Sequence, residues 1–310
     1  MTEGLIDVHQ HFFSPGQKSR ELKRAHGHMT PQDRLQGWSP DHILDQMDAN
    51  GIARAIGSIS TPGVWSGQPT ESAQYAREWN EYAASLSVRH PGRFGFFAAL
   101  PLPATDLALI ELTHSDSVLQ ASGISLFTNY DGRYLGDSAF TPVFEEMNRR
   151  GSLVFVHPTA PAYGRPIPEV LPQVIEFAFE TTRTILSLLI SGSLRRFPQI
   201  RWIFSHTGGT ISILADRIEK LLMRPPYAEQ NPDGIRPLLH RLHFDMAGTE
   251  SVETINALRA IVPQSQIVFG SDMPFVLGSK SVDTLARLLV SHTERDAIAF
   301  GNARRLLPAR

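Results

Sequence analysis

The chain has 310 residues, of which 42% are hydrophobic and 19% charged, and its formal net charge is −2. That is ordinary globular composition, and the near-neutral charge offers no footing for nucleic acid or an anionic membrane as partner. Cysteine is absent, which excludes disulfides and thiolate metal sites, so any metal must be held by His, Asp or Glu.

The first residues, MTEGLIDVHQH, show no basic n-region and no apolar h-region, so no signal peptide is expected. The longest apolar run, around Ile185 to Ile190, is short and is followed by Arg195 and Arg196. No membrane span is expected, and the expected location is the cytoplasm.

In chain order, the first expected strand is LIDVH (5–9), with His11 just beyond it. Residues i and i+2 of a strand share a face, so His9 and His11 should project together. The polar stretch 14–37 breaks the rhythm that follows and is a candidate lid. SPDHILDQMDANG then opens on Ser-Pro and stops at Gly, sound cap signals for a helix. Strands are expected at 53–59, 93–100, 123–127, 152–157, 200–206, 242–246 and 266–272, with helical patterns over 71–90, 138–150, 169–196, 209–222, 250–261 and 281–291. Strands alternating with helices point to parallel βαβ units. Eight of them favour a closed (β/α)8 TIM barrel, an α/β fold in a single domain over 1–310 with a loop insertion after strand one.

Several strands end in a residue suited to metal binding or proton transfer. His9 and His11 end the first, His157 ends VFVHPT, His206 ends IFSHTGG and Asp272 ends VFGSDMPF. In a barrel those C-terminal edges converge on one mouth, where such residues read as catalytic. The other eight of the 12 histidines do not share this placement. His9, His11, His157 and Asp272 would supply four ligands, with water or substrate as a fifth. Imidazole and carboxylate suit one divalent metal, zinc first, with manganese, cobalt or iron also compatible. His206 could ligate too, but an unbound imidazole is the better proton shuttle at neutral pH. Asp272 can share that role.

The runs IDVHQH, VFVHP, FSHTGG and FGSDMPF resemble the amidohydrolase superfamily, and more narrowly its amidohydrolase-2, aminocarboxymuconate-semialdehyde decarboxylase-like group. The resemblance spans nearly the whole chain, to FGNARRLL near its end, and the middle segment GISLFTNYDGRYLGDSAFTPVFEEMNRRGSLVFVHPT is most similar to the 6-methylsalicylate and γ-resorcylate decarboxylase types. It implies a metal-bearing barrel in which His9, His11, His157 and Asp272 are ligands and His206 is a general acid/base. Many relatives bridge two metals with a carboxylated lysine after strand four. The four lysines here (18, 23, 220 and 280) lie elsewhere, so one metal is expected.

The implied reaction is non-oxidative decarboxylation of a small ortho-hydroxybenzoate-like or muconate-like carboxylic acid. The rival is hydrolysis of a lactone or amide by a metal-bound hydroxide, with His206 as base. Phe12, Phe13, Phe127, Tyr130 and Phe275 flank the motifs and are candidate walls for a ring. Arg183 is a candidate carboxylate clamp, since guanidinium binds carboxylate in a bidentate fork. Thr128 and Trp65 are further substrate-contact candidates, and the resemblance implies a homodimer or homotetramer.

Overall fold

The computed structural model describes residues 4–17, 37–164, 167, 169–249 and 251–308. The expected lid at 14–37 falls mostly outside the described residues, which omit 18–36. The strands run β1 (Leu5–His11), β2 (Ile52–Ser58), β3 (Phe94–Ala99), β4 (Gly123–Phe127), β5 (Asn129–Tyr130), β6 (Arg133–Tyr134), β7 (Leu153–His157), β8 (Arg201–Phe204), β9 (His243–Asp245) and β10 (Ile267–Val268). Eight of them form one sheet in the order β1-β2-β3-β4-β7-β8-β9-β10, and every ladder within it is parallel. The antiparallel β5–β6 hairpin stands apart from it, a feature absent from the expected elements.

The sheet closes through the segment after β10. Val8 N donates to Phe269 O (3.0 Å), Asp272 N to His9 O (2.8 Å) and His11 N to Met273 O (2.8 Å). The eighth strand is therefore much shorter than the expected 266–272, and Asp272 lies beyond it with φ +64°. Gly270 marks the departure. A Cβ there would lie 2.9 Å from His9 Cβ and 3.1 Å from Asp245 Cβ, so only glycine lets the chain pass this close.

The barrel interior is a compact apolar cluster made from alternate strand residues, among them Ile6, Val8, Ile56, Phe97, Phe155, Ile203 and Val268. Leu306 and Leu307 near the C-terminal end join the same cluster. The larger core lies between the sheet and the surrounding helices. In β1 the ladder to β2 slips by one residue between Asp7 and Gln10. A bulge of this kind re-aims side chains. Here it lets Ile6 and Val8 join the interior cluster while His9, next in sequence, also meets the interior ring of Phe155 at 5.0 Å.

The helix α1 (Pro40–Ala49) starts as its sequence predicts, with the Ser39 hydroxyl accepting from His42 N and Pro40 in the first turn. Next come α2 (Pro69–Arg89) and α3 (Thr105–Ser117). The latter is missing from the expected elements for a physical reason. Its buried stripe is Ala108, Glu111, Leu112 and Ser115, half of it polar, while Ile110 is exposed. An apolar periodicity therefore does not exist there to be read.

Glu111 is buried because it has partners, accepting from Arg77 Nε (2.9 Å) and Asn80 Nδ2 (2.7 Å). Asn80 in turn holds both backbone groups of Ala99 at the end of β3 (3.0 and 2.8 Å). A Glu111→Ala variant is expected to lose about 1–3 kcal/mol of stability, because a buried donor and a guanidinium lose their acceptor. The urea midpoint should fall with an unchanged m value.

Later helices are α4 (Thr141–Arg150), α5 (Glu176–Ile190), α6 (Ser193–Arg196), α7 (Ile211–Leu222), α8 (Arg236–Leu239), α9 (Val252–Arg259), α10 (Gly278–Arg287), α11 (His292–Asp296) and α12 (Asn302–Leu306). The expected helix at 169–196 is two helices that begin only at Glu176, and the one expected at 281–291 is shifted toward the N-terminus as α10.

Candidate active site

The C-terminal ends of the strands bring together the residues that sequence spacing singled out. One ligand-type atom from each of His9, His11, His157 and Asp272 lies within 4.8 Å of the others, although the residues come from three separate stretches of chain. Each imidazole is oriented through its other nitrogen. His9 Nδ1 faces Asp245 Oδ2 at 2.8 Å, His157 Nδ1 faces the Pro158 carbonyl at 2.8 Å and His11 Nδ1 faces Ser58 Oγ at 3.4 Å. A carboxylate and a carbonyl can only accept, so the Nδ1 atoms of His9 and His157 carry protons. The Nε2 atom of His157 is then left with a lone pair. Fixing the tautomer from the outer side in this way is how metal-ligating histidines are held.

The inner side of the cluster is rich in acceptors. Asp272 Oδ1 lies 3.2 Å from His11 Nε2 and 3.4 Å from His9 Nε2, yet it has no well-formed hydrogen bond among the described residues. The partnerless Asp272 oxygen and the inward lone pair of His157 call for a positive charge between them. Burial opposes a charged His9, but the Asp245 and Asp272 carboxylates outweigh it and push that ring up to about 10. Burial holds His11 low, and burial together with neighbouring imidazoles holds His157 well below the ordinary imidazole range. Burial also works against ionised Asp272, yet the surrounding imidazoles of His11, His206 and His9 hold it well below the usual carboxylate range. A buried His-His-His-Asp group of this form can hold a divalent metal.

His206 stands beside the group. Its Nε2 is 3.6 Å from Asp272 Oδ2, and its ring is 5.0 Å from that of His9 and 5.4 Å from that of His157. Its side chain is 22% exposed, whereas those of His9 and His11 are fully buried. It does not end a strand as expected. It sits in a short turn after β8 with φ +53°, and Thr207 follows with φ +56°. Positive φ at non-glycine residues is uncommon and costs energy, so the surrounding contacts must hold it. Gly248 packs directly against this ring, since a Cβ there would lie 2.9 Å from His206 Cδ2.

Asp245 and Asp7 escaped the sequence reading. Asp245 accepts from His206 N (2.9 Å) and Ala247 N (3.0 Å) while it orients His9, so one carboxylate sets two site histidines. It closes a strand, like the residues that were identified, and that position was the available signal. Asp7 accepts from Ser271 N (3.1 Å), Ser271 Oγ (2.5 Å) and Gln10 Nε2 (2.8 Å), which fastens the Asp272 loop to β1. Its complete burial pushes it up to about 6 despite these bonds.

An Asp245→Asn variant is expected to weaken divalent metal binding about 10–100-fold, the usual effect of removing a ligand's outer partner. Calorimetric titration of metal into the stripped protein reads the effect, and an unchanged affinity would show that His9 needs no such orientation.

The substrate-contact candidates divide. Phe127, Tyr130 and Trp65 line a cavity of about 230 Å³ together with Val64, Leu100 and Ala160. The ring of Phe127 lies 6.2 Å from that of His157, and Phe275 lies 5.1 Å from His11. Phe177, at 6.1 Å from His157, completes an aromatic collar and was not anticipated.

Phe12 and Phe13 are fully buried in the outer core, against Phe94 and Trp38 respectively. Thr128 is buried and does not line the cavity. Its hydroxyl accepts from Thr159 N (3.1 Å) and its carbonyl from Thr184 Oγ1 (2.9 Å), so it is used in joining β4 to its neighbours. Arg183 also lies away from the cavity. Its guanidinium pairs with Glu180 (2.9 Å), reaches Glu176 (3.7 Å) and sits over the rings of Tyr163 and Phe179. One arm of the guanidinium, Nη1, is thus engaged by carboxylates of its own helix.

Residues 6–309 match the family model described as amidohydrolase. The chain is 35% identical to the decarboxylase macB of Penicillium terrestre, over 98% of this chain and 94% of that one. It is 33% identical to a 6-methylsalicylic acid decarboxylase of Penicillium expansum, over 87% and 84% of the two chains. Among solved structures, a dihydroxybenzoic acid decarboxylase from Polaromonas sp. JS666, with bound manganese and the inhibitor 2-nitroresorcinol, superimposes with a TM-score of 0.83 at 22% identity, covering 98% of this chain and 96% of that one. At that identity the likeness shows the shared fold.

Proposed function

The chain belongs to the amidohydrolase family, and on that premise we propose that it is a metal-dependent carboxy-lyase acting on a small aromatic acid of the ortho-hydroxybenzoate type. The observation that carries the reading is the meeting of two features. The ring of Phe127, 6.2 Å from that of His157 in the His-His-His-Asp group, is also a wall of a mainly apolar cavity of about 230 Å³. Cavities for drug-sized ligands measure roughly 300–1,000 Å³, so this one is matched to a single substituted ring. Its relatives named as decarboxylases supply the reaction class.

His9, His11, His157 and Asp272 are proposed to hold one divalent ion. Zinc suits three imidazoles and a carboxylate, and manganese is the ion named with the solved neighbour. When bound, the ion supplies Lewis-acid charge for the substrate's carboxylate and adjacent phenolic oxygen. Phe127, Phe177 and Phe275 exclude water and hold the ring. His206, its Nε2 3.6 Å from Asp272 Oδ2, is proposed to deliver a proton to the ring carbon that bears the carboxylate, with Asp272 placed beside it to assist the transfer. The C–C bond then breaks, its electron pair returns to the ring, and CO2 leaves. His206, the more exposed partner, recovers a proton from solvent.

The test is CO2 release by metal-replete protein from a panel of hydroxybenzoates, with elemental analysis of the same sample. About one divalent ion per chain is expected, with turnover lost on chelation and restored by metal. Bound metal with no CO2 from any acid, and hydrolysis of a lactone or amide instead, would overturn the proposal. A homodimer or homotetramer is proposed as the assembly, and light scattering decides it. Among the described residues no helix is long and apolar enough to cross a membrane. A cytoplasmic location is proposed alongside.

A further inference from the structure

Each polar side chain that lines the cavity has at least one hydrogen-bond partner among the described residues, with one exception. Tyr130 Oη accepts from Phe127 N (3.0 Å), and Trp65 Nε1 donates to Asp131 (2.9 Å). Thr159 Oγ1 pairs with Thr61 Oγ1 (2.8 Å). Asn129 is committed to Glu180 (2.7 Å), the Ala160 carbonyl (3.2 Å) and Gly132 N (3.3 Å). Ser125 lines the same cavity, is 2% exposed, and its hydroxyl has no partner among the described residues. Buried polar atoms without partners are rare in native structures and each calls for a physical account.

The position of Ser125 supplies that account. In the β4–β7 ladder Phe127 pairs with His157 and Ser125 with Phe155. Ser125 is therefore one strand across and two residues down from a proposed metal ligand, roughly 8 Å between Cα atoms from the strand spacings. Ala99, its partner on β3, is small and leaves room beside it. The span is comparable with one substituted benzene ring. A ring whose carboxylate lies at the His-His-His-Asp group would bring its far substituents to this hydroxyl.

We propose that Ser125 is a specificity-determining residue that hydrogen-bonds a second polar substituent, a hydroxyl, on the substrate ring. The inference rests on the decarboxylase reading and narrows it to dihydroxybenzoate-type acids over acids whose remaining ring substituents are only alkyl. A site that hydrogen-bonds a substrate hydroxyl discriminates against the analogue lacking it, because the site's own group is left unpaired.

The experiment compares wild type with Ser125→Ala on 2,3-, 2,4- and 2,6-dihydroxybenzoate and on 6-methylsalicylate, all with metal-replete protein. Wild type is expected to favour at least one dihydroxy acid over the methyl acid by about tenfold or more in kcat/KM. Ser125→Ala should lower that dihydroxy acid by about tenfold and raise the methyl acid, which reverses or erases the preference. A wild type that favours the methyl acid would overturn the assignment. So would a variant that lowers both classes equally, or neither.

Calorimetric affinities of the same four acids are measured in parallel. If none releases CO2, the decarboxylase reading fails by itself. The affinities still decide the role of Ser125, with a selective loss of the dihydroxy acid supporting it and an equal loss, or none, overturning it.

Discussion

A His157→Ala variant is expected to lose metal and turnover together, with bound ion falling well below one per chain and CO2 release dropping more than about 100-fold. That figure takes as its floor the 10–100-fold cost of removing only a ligand's outer partner. His157 is buried, its Nδ1 is tied to the Pro158 carbonyl, and its Nε2 points at the other three members of the group. Removing it takes one of the four proposed ligands and opens space beside Phe127 and Phe177. The measurement is elemental analysis paired with activity, and a thermal melt confirms that the variant folds. Full metal occupancy in a folded His157→Ala protein would remove His157 from the ligand set.

A His206→Ala variant should behave oppositely, keeping its metal while kcat falls about 100- to 10,000-fold, the range expected when a positioned acid/base is removed. His206 contacts Asp272 through the carboxylate oxygen opposite the one nearest His9 and His11. Its partial exposure gives it the access to solvent protons that the buried imidazoles lack. Because Asp245 still orients His9 in this variant, the proposed ligand group should be left intact. Loss of metal in His206→Ala would make His206 a ligand and leave the proton to Asp272 alone. The two variants thus separate holding the ion from moving the proton, and a single activity assay would not.

Much of this site was legible in the order of residues because strand geometry is local. His9 and His11 share a face through a period of two, and His157 closes an apolar run that could only be a buried strand. Asp272 and His206 were found by the same rule, although neither ends a strand. Each follows one after a turn with positive φ that the sequence does not announce. Asp245 obeyed the rule and was passed over, since a lone carboxylate after LHF carries no motif. Thr128 and Arg183, expected as substrate contacts, do not line the cavity, and their hydrogen bonds are set by neighbours. Thr159 and Thr184 engage the first, and Glu180 the second.

Eight apolar runs alternating with helices were enough to set the barrel, and three histidines and an aspartate in a chain without cysteine were enough to name the donors a metal would meet. Those properties follow from side-chain identity and from periodicities of a few residues. Only the tertiary structure decided which nitrogen of each imidazole faces inward, because that depends on Asp245, Ser58 and Pro158, and two of these acceptors lie far from their histidine in sequence. It also decided the phase of β1, set by one extra residue against β2. The polar stripe of α3 and the unpartnered hydroxyl of Ser125 belong to the same class. Burial and partnership are properties of closed packing, and a ring that joins β1 to residues 269–273 forms only when the whole chain has folded.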